Sequence, residues 1–277
     1  MILFAGGDSR TNVAMEYLSS HGVACESYGL FDDRVPDCCD VNALILPYPC
    51  TRNGRLNAPT LKDPPSISEL LTRLNLSKEV FTVGGMLPSG VFANCVDLAD
   101  CEDLKLRNAV TTVEGVLALL VEQTDRSVFG MQCLVVGYGA IGKRLSAMLA
   151  ALGAQVTVAA RKALDRTAAA LQGFAVQHTS ALSPLGMDAV FNTVPVRLME
   201  EEFFENCPRD VCIFELASAP GGFNPALAAS FDLKTIACPG LPGKVAPITA
   251  GEDLGKTLLR LLEESFHGKG SASFLGT

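Results

Sequence analysis

The stretch that most constrains this chain runs from Cys133 to Arg161, CLVVGYGAIGKRLSAMLAALGAQVTVAAR. A short β-branched apolar run turns through Gly137, Gly139 and Gly142, a helical pattern follows, and a second apolar run closes the unit. That is the G-x-G-x-x-G fingerprint in the strand, turn and helix context it requires. Gly137 permits the tight turn, Gly139 lets backbone approach a pyrophosphate, and Gly142 lets the helix pack against the strand. A helix beginning near Ala140 and Ile141 then offers free N–H groups and a partial positive charge to that pyrophosphate, beside Tyr138. The competing reading is a doubly wound domain whose glycines serve packing alone.

The second strand bears on which dinucleotide fits. An NAD site carries an acid about 20 residues on, to hold the ribose 2′-hydroxyl. Here the place reads Thr157-Val158-Ala159-Ala160-Arg161-Lys162, with no carboxylate before Asp165. Arg161 and Lys162 suit a 2′-phosphate, so NADP is expected over NAD. The alternative for Arg161 is a solvated residue at a strand end.

The chain has 277 residues, 48% of them hydrophobic, which allows two domains with cores of their own. Net charge is −8 and no block of like charges appears, so nucleic acid is not an expected partner. No apolar run is long enough to span a bilayer, and an apparent strand begins at Met1 without a basic leader. A cytoplasmic protein with no membrane partner is expected. The ten cysteines form no C-x-x-C pair, and His21, His178 and His267 are not set at ligand spacing from them, so no metal is expected. Cys133 and Cys212 lie inside apolar strand runs and read as small buried hydrophobes.

In chain order, residues 1–7 read as a buried strand, with a helical stretch after Asp8-Ser9-Arg10 as far as Ser20. Residues 23–29 and 42–49 read as further strands in a βαβ rhythm. Gly6 to Arg10 could cradle an anion with backbone N–H groups and the Arg10 guanidinium, or could be a tight turn with a helix cap. Residues 50–65 read as a long surface loop, Ser66 and Glu69 as a capping box, and 78–85 as a strand. Residues 111–124 predict a mostly apolar helix with Glu114 one turn in, where it either favours the helix dipole or serves as general acid or base.

After Arg161, short apolar runs at 174–178, 188–194, 210–217 and 233–239 complete six strands. The turns after the last three carry Asn192-Thr193-Val194-Pro195, Ser218-Ala219-Pro220-Gly221-Gly222 and Pro239 to Lys244, and are expected to converge on the nicotinamide. Thr249 and Glu252 predict a capping box for a last helix, striped by Leu254, Leu258, Leu261 and Leu262. The expected fold is α/β: two doubly wound parallel-sheet (Rossmann-like) domains, the second carrying the dinucleotide fingerprint. The expected division is a flavodoxin-like or Rossmann-like substrate domain at 1–108, a linking helix at 109–126 and an NADP-binding domain at 127–250. A C-terminal helix at 251–277 is expected to pack back across the junction and end in a frayed tail.

Eight motifs resemble the A subunit of dipicolinate synthase from endospore-forming bacteria: GGDSR at 6–10, LILPYP at 44–49, AVTTVEG at 109–115, GYGAIG at 137–142, AAR at 159–161, FNTVP at 191–195, ELASAPGG at 215–222 and PGLPGKVAPITAGE at 239–252. The last is the most specific. This resemblance implies a two-domain relative of the 2-hydroxyacid dehydrogenases, working with a flavoprotein-like B subunit. It also implies oxidation of a dihydrodipicolinate-type precursor to pyridine-2,6-dicarboxylate during sporulation, in the mother-cell cytoplasm. The chain departs from the family in having Thr112 where Pro is usual and Ala219 where Lys is usual.

Hydroxy-acid oxidation needs an imidazole oriented by a carboxylate and an arginine on the substrate carboxylate, and none of the three histidines falls on the strand-end turns. Loss of hydride from a partly reduced ring asks less, because aromatisation drives it. The expected roles are Arg10 and Lys244 on the carboxylates of a dicarboxylate substrate, Ser218 and Asn192 positioning substrate or nicotinamide, and Glu114 as base. Thr193 and Pro195 are expected at the cofactor, and the protein is expected to be a homo-oligomer. Two other readings stay open: an NAD(P)-dependent dehydrogenase of another small anionic acid, and a non-catalytic nucleotide-sensing or scaffold subunit.

Overall fold

A computed structural model of the chain describes residues 1–37 and 40–267, apart from the His267 side chain. Cys38, Cys39 and the tail expected at 268–277 lie outside the described residues. The chain forms two compact units, one of residues 1–108 with the C-terminal stretch from Ala246, the other of residues 109–245. The second unit therefore ends at 245 rather than 250.

The first unit contains β1 (Ile2–Ala5), α1 (Ser9–Ser20), β2 (Cys25–Tyr28) and β3 (Ala43–Ile45). A hairpin of β4 (Thr51–Arg52) and β5 (Arg55–Leu56) comes next, then α2 (Ile67–Arg73), β6 (Phe81–Gly84) and β7 (Cys95–Asp97). Five of these strands pair in parallel in the order β2-β1-β3-β6-β7. Counted within the sheet this is 2-1-3-4-5, the flavodoxin-like doubly wound order. The period of two sends alternate side chains of β1 to opposite cores: Ile2 and Phe4 to one, Leu3 and Ala5 to the other. The expected capping box opens α2, where Ser66 accepts from the Glu69 N–H and the Glu69 carboxylate accepts from the Ser66 N–H.

Three expectations are corrected here. Residues 50–65 are not all loop, because Asn53-Gly54 closes the small hairpin between β4 and β5. The next helix, α3 (Glu102–Gln123), begins nine residues before the expected 111, so Glu114 stands past its midpoint rather than one turn in. Asp100, Glu102 and Asp103 supply the acidic start, which was one of the two roles open to Glu114.

The second unit starts inside α3 and continues with β8 (Gln132–Val136), α4 (Ala140–Ala151), β9 (Gln155–Ala159), α5 (Ala163–Leu171) and β10 (Ala175–Gln177). It is completed by β11 (Ala189–Asn192), α6 (Glu201–Glu205), β12 (Cys212–Glu215), α7 (Pro225–Ser230), β13 (Lys234–Ala237) and α8 (Leu241–Val245). All six strands are parallel in the order β10-β9-β8-β11-β12-β13, which is the doubly wound order 3-2-1-4-5-6. Cys133 and Val135 of β8 enter one core while Leu134 and Val136 enter the other. Burial of each such aliphatic side chain stabilises the unit by about 1.5–3 kcal/mol. Burial also pushes the Cys133 thiol up to about 12, in keeping with an inert core residue.

The last helix, α9 (Pro247–His267), begins with proline at its first helical position. Thr249 and Glu252 consequently lie inside the helix, and the expected capping box does not form. Leu258, Leu261 and Leu262 are buried in the first unit's core, with Leu254 packed against it. The helix lies against α1: a Cβ at Gly251 would meet Val13, and one at Gly255 would meet the Tyr17 ring. No helix among the described residues is long and apolar enough to cross a membrane.

Candidate functional site

The carboxyl ends of the second sheet bring the expected cofactor residues together. The Gly137 N–H donates to the Ala159 carbonyl at 2.8 Å, joining the end of β8 to that of β9. Gly137 has φ +102°, and a side chain there would run into Thr193. The Thr193 hydroxyl donates to the Val136 carbonyl at 2.9 Å, so β11's turn is tied to the same strand end. A Cβ at Gly142 would overlap the Gly137 carbonyl, the close helix-to-turn packing that the third glycine permits.

Gly139 differs from both. It is exposed, it is the N-cap of α4 with no side-chain cap, and a Cβ there would have nothing within 4 Å. The turn is therefore packed tight on the protein side and open at its middle glycine, where the N-terminus of α4 offers its partial positive charge. This open, uncapped helix start fits a pyrophosphate. Tyr138 is buried, with Lys143 Nζ 5.6 Å from its ring centroid, and burial, with Asp165 nearby, pushes its phenol above the ordinary value. Ala140 and Ile141 are half-buried at the helix start.

At the end of β9, Arg161 and Lys162 are both exposed and form no ion pair among the described residues. A third cation is not evident from the sequence. Arg166, one turn into α5, donates through Nη1 to the carbonyls of Ala160 at 2.9 Å and Arg161 at 2.7 Å. Its signal is an arginine at the fifth position after Arg161, visible only as helix surface until the helix start is placed.

Asn192 requires a correction. Its side chain is fully buried, its amide nitrogen donates to the Val194 carbonyl and to Glu215 Oε1, and its oxygen accepts from the Val194 N–H. Both amide hydrogens and one lone pair of the oxygen are engaged, so the Asn192 side chain first of all holds the turn. Glu215 is the residue the motif reading missed. Its carboxylate accepts from Asn192 at 2.7 Å, the Ala217 N–H at 2.9 Å and the Gly222 N–H at 2.8 Å. A side chain at Gly222 would overlap the Asn192 amide. One carboxylate thus clamps the turns after β11 and β12, leaving Pro195 and Ser218 exposed at their tips.

Lys244, on α8, is exposed and unpaired among the described residues. Gly115 of α3 lets α8 close in, since a Cβ there would lie 3.1 Å from the Leu241 Cβ. Glu114, beside Gly115, is exposed.

Arg10 belongs to the first unit, and its turn takes the second of the two forms left open by the sequence, a tight turn in which Asp8 caps α1. The Gly6 and Gly7 N–H groups are spent on the Tyr28 and Asn57 carbonyls, each at 2.8 Å. Arg10 itself is bound by Asp8 through Nε and Nη2, the latter at 2.8 Å, and also donates to the Tyr48 carbonyl. Burial alone would raise the Asp8 carboxyl, but the hydrogen bonds and charge of Arg10 hold it below the ordinary value. Half of this guanidinium is therefore neutralised within its own turn.

Two parallel α/β units, the second ordered 3-2-1-4-5-6 around a complete glycine fingerprint, define the class: a dehydrogenase-type dinucleotide-binding fold. The D-lactate dehydrogenase of Escherichia coli shares that fold, at 11% identity and TM-score 0.62, covering 96% of this chain and 97% of that one. No family model matches the chain. A nearer relative is the A subunit of dipicolinate synthase from Bacillus subtilis, 34% identical over 171 residues, which are 61% of this chain and 58% of the relative. The alignment thus spans a little over half of that relative's length. The crystal structure of the corresponding A subunit from Bacillus halodurans matches with TM-score 0.85 at 26% identity, covering 94% of this chain and 97% of that one. Both comparisons thus agree with the resemblance read from the sequence: the chain is similar to dipicolinate synthase A subunits.

Proposed function

We propose that the chain is an NADP-dependent dehydrogenase subunit of the dipicolinate synthase type, acting with a flavoprotein-like B subunit in the sporulating mother cell. The observation that carries this is the open helix start at Gly139, flanked by the unpaired cations of the β9 turn and the clamped turns after β11 and β12. When bound, NADP would supply a nicotinamide able to take hydride. The chain's part is to hold a dicarboxylate against that ring and receive a proton, because a dihydropyridine ring that loses hydride and proton becomes aromatic.

Lys244 is the principal cation proposed for a substrate carboxylate, since it is free of carboxylate partners among the described residues. Arg10, with Asp8 already attached, keeps only Nη1 free of hydrogen bonds among the described residues. Ser218 positions substrate, Glu114 takes the proton, and Glu215 with Asn192 holds the turns in place. The scaffold reading is the competitor, favoured by the lack of a histidine at the strand-end turns.

The test mixes the chain with freshly generated dihydrodipicolinate and NADP, with and without the B subunit, and follows NADPH absorbance. Turnover, falling at least about tenfold in Lys244→Ala, is the expected outcome. Turnover only with the B subunit places the active site in the pair, and none in either mixture favours the scaffold.

A further inference from the structure

The β9 turn contains three cations, Arg161, Lys162 and Arg166, and one carboxylate, Asp165, which pairs with none of them. Three cations against one carboxylate give this turn a local positive potential in a chain of net charge −8, which favours an anion there. The three cations are not equivalent. Arg161 and Lys162 are exposed, and holding either long side chain on a ligand costs rotamer freedom. Arg166 is half-buried, and Nη1 is already fixed on the Ala160 and Arg161 carbonyls, while Nε and Nη2 make no hydrogen bond among the described residues.

We infer that Arg166, rather than Arg161, is the residue by which this chain distinguishes a 2′-phosphorylated dinucleotide from its unphosphorylated counterpart. The inference rests on the dinucleotide reading above. The ribose end of the ligand falls at the carboxyl end of β9, because Gly137 is bonded to Ala159 and the second strand of a doubly wound sheet meets the ribose. A guanidinium pinned at that strand end by two carbonyls keeps a flat donor edge in one orientation, so its entropy is lost on folding and not on binding. Arg161 and Lys162 add charge around this fixed donor.

Calorimetric titration of the full chain with NADP and with NAD tests this without any turnover. The wild type is expected to prefer NADP by about 10- to 100-fold, the range of one charge-assisted hydrogen bond. Arg166→Ala should lose that preference with NAD affinity changed less than about twofold, Arg166→Lys should keep part of it, and Arg161→Ala should lose only about two- to fivefold. Preference retained in Arg166→Ala and lost in Arg161→Ala overturns the inference while leaving the dinucleotide reading intact. An equal fall for NAD and NADP in Arg166→Ala also overturns it, showing that the residue only holds the turn. If wild type binds NAD as well as NADP, the 2′-phosphate reading of this turn fails and the inference with it; if it binds neither, the dinucleotide reading fails.

Discussion

In each unit the first strand of the sheet, β1 or β8, runs into a glycine turn and a helix, and the two turns end up with opposite chemistry. In the first, Gly6 and Gly7 spend their N–H groups on Tyr28 and Asn57, and Asp8 caps α1 by accepting from the Arg10 N–H. In the second, Gly137 and Gly142 are pressed against protein, while Gly139 caps α4 with no side chain and opens on free space. One turn satisfies its helix with a carboxylate of its own. The other leaves that place uncapped and open, as the proposed pyrophosphate site requires.

The largest effect expected from breaking this contrast comes from Gly142→Ala. Its Cβ would overlap the Gly137 carbonyl, so the second unit should lose about 1–3 kcal/mol or more and dinucleotide binding with it, read by thermal unfolding and calorimetry. Next is Gly139→Asp, which gives α4 the cap that α1 already has. Space is free there and φ is −81°, so the melting temperature should hold or rise, whereas NADP affinity should fall about 100-fold as a fixed carboxylate occupies the anion's place. Unchanged NADP affinity in that variant would mean the pyrophosphate does not sit on α4.

The smallest effect belongs to Asp8→Asn. Asp8 is held below its ordinary value of 3.8, so the folded chain resists a proton that the unfolded chain accepts. Its contribution is present above 3.8 and is lost as pH falls through the folded value. The variant should flatten the acid limb of an unfolding series and leave dinucleotide affinity alone; a loss of NADP binding instead would give the first turn a ligand role.

Much of the fold was legible because its signals are local. Six short apolar runs with helix-sized spacers required a doubly wound second sheet, and the Ser66–Glu69 capping box is contained in four residues. Helix boundaries were less legible where apolar pattern and cap disagreed: α3 starts among charged residues at Glu102, and α9 starts at a proline before the expected cap. Within the site, the fingerprint glycines and the basic β9 turn were readable one residue at a time.

Asn192, Glu215 and Arg166 were not, because their roles are set by groups far along the chain or across a helix start. The sequence by itself determined the six strands of the second sheet, that they are parallel, and where a dinucleotide is expected to meet them, since those follow from hydrophobic period and from what glycine alone allows. It did not determine the hairpin of β4 and β5 or the edge strand β7. Only the tertiary structure decided which polar side chains are still free to act. A hydrogen-bonding group satisfied by the fold has little left for a ligand, and that accounting closes only when Glu215 meets Asn192 and Gly222, and Asp8 meets Arg10.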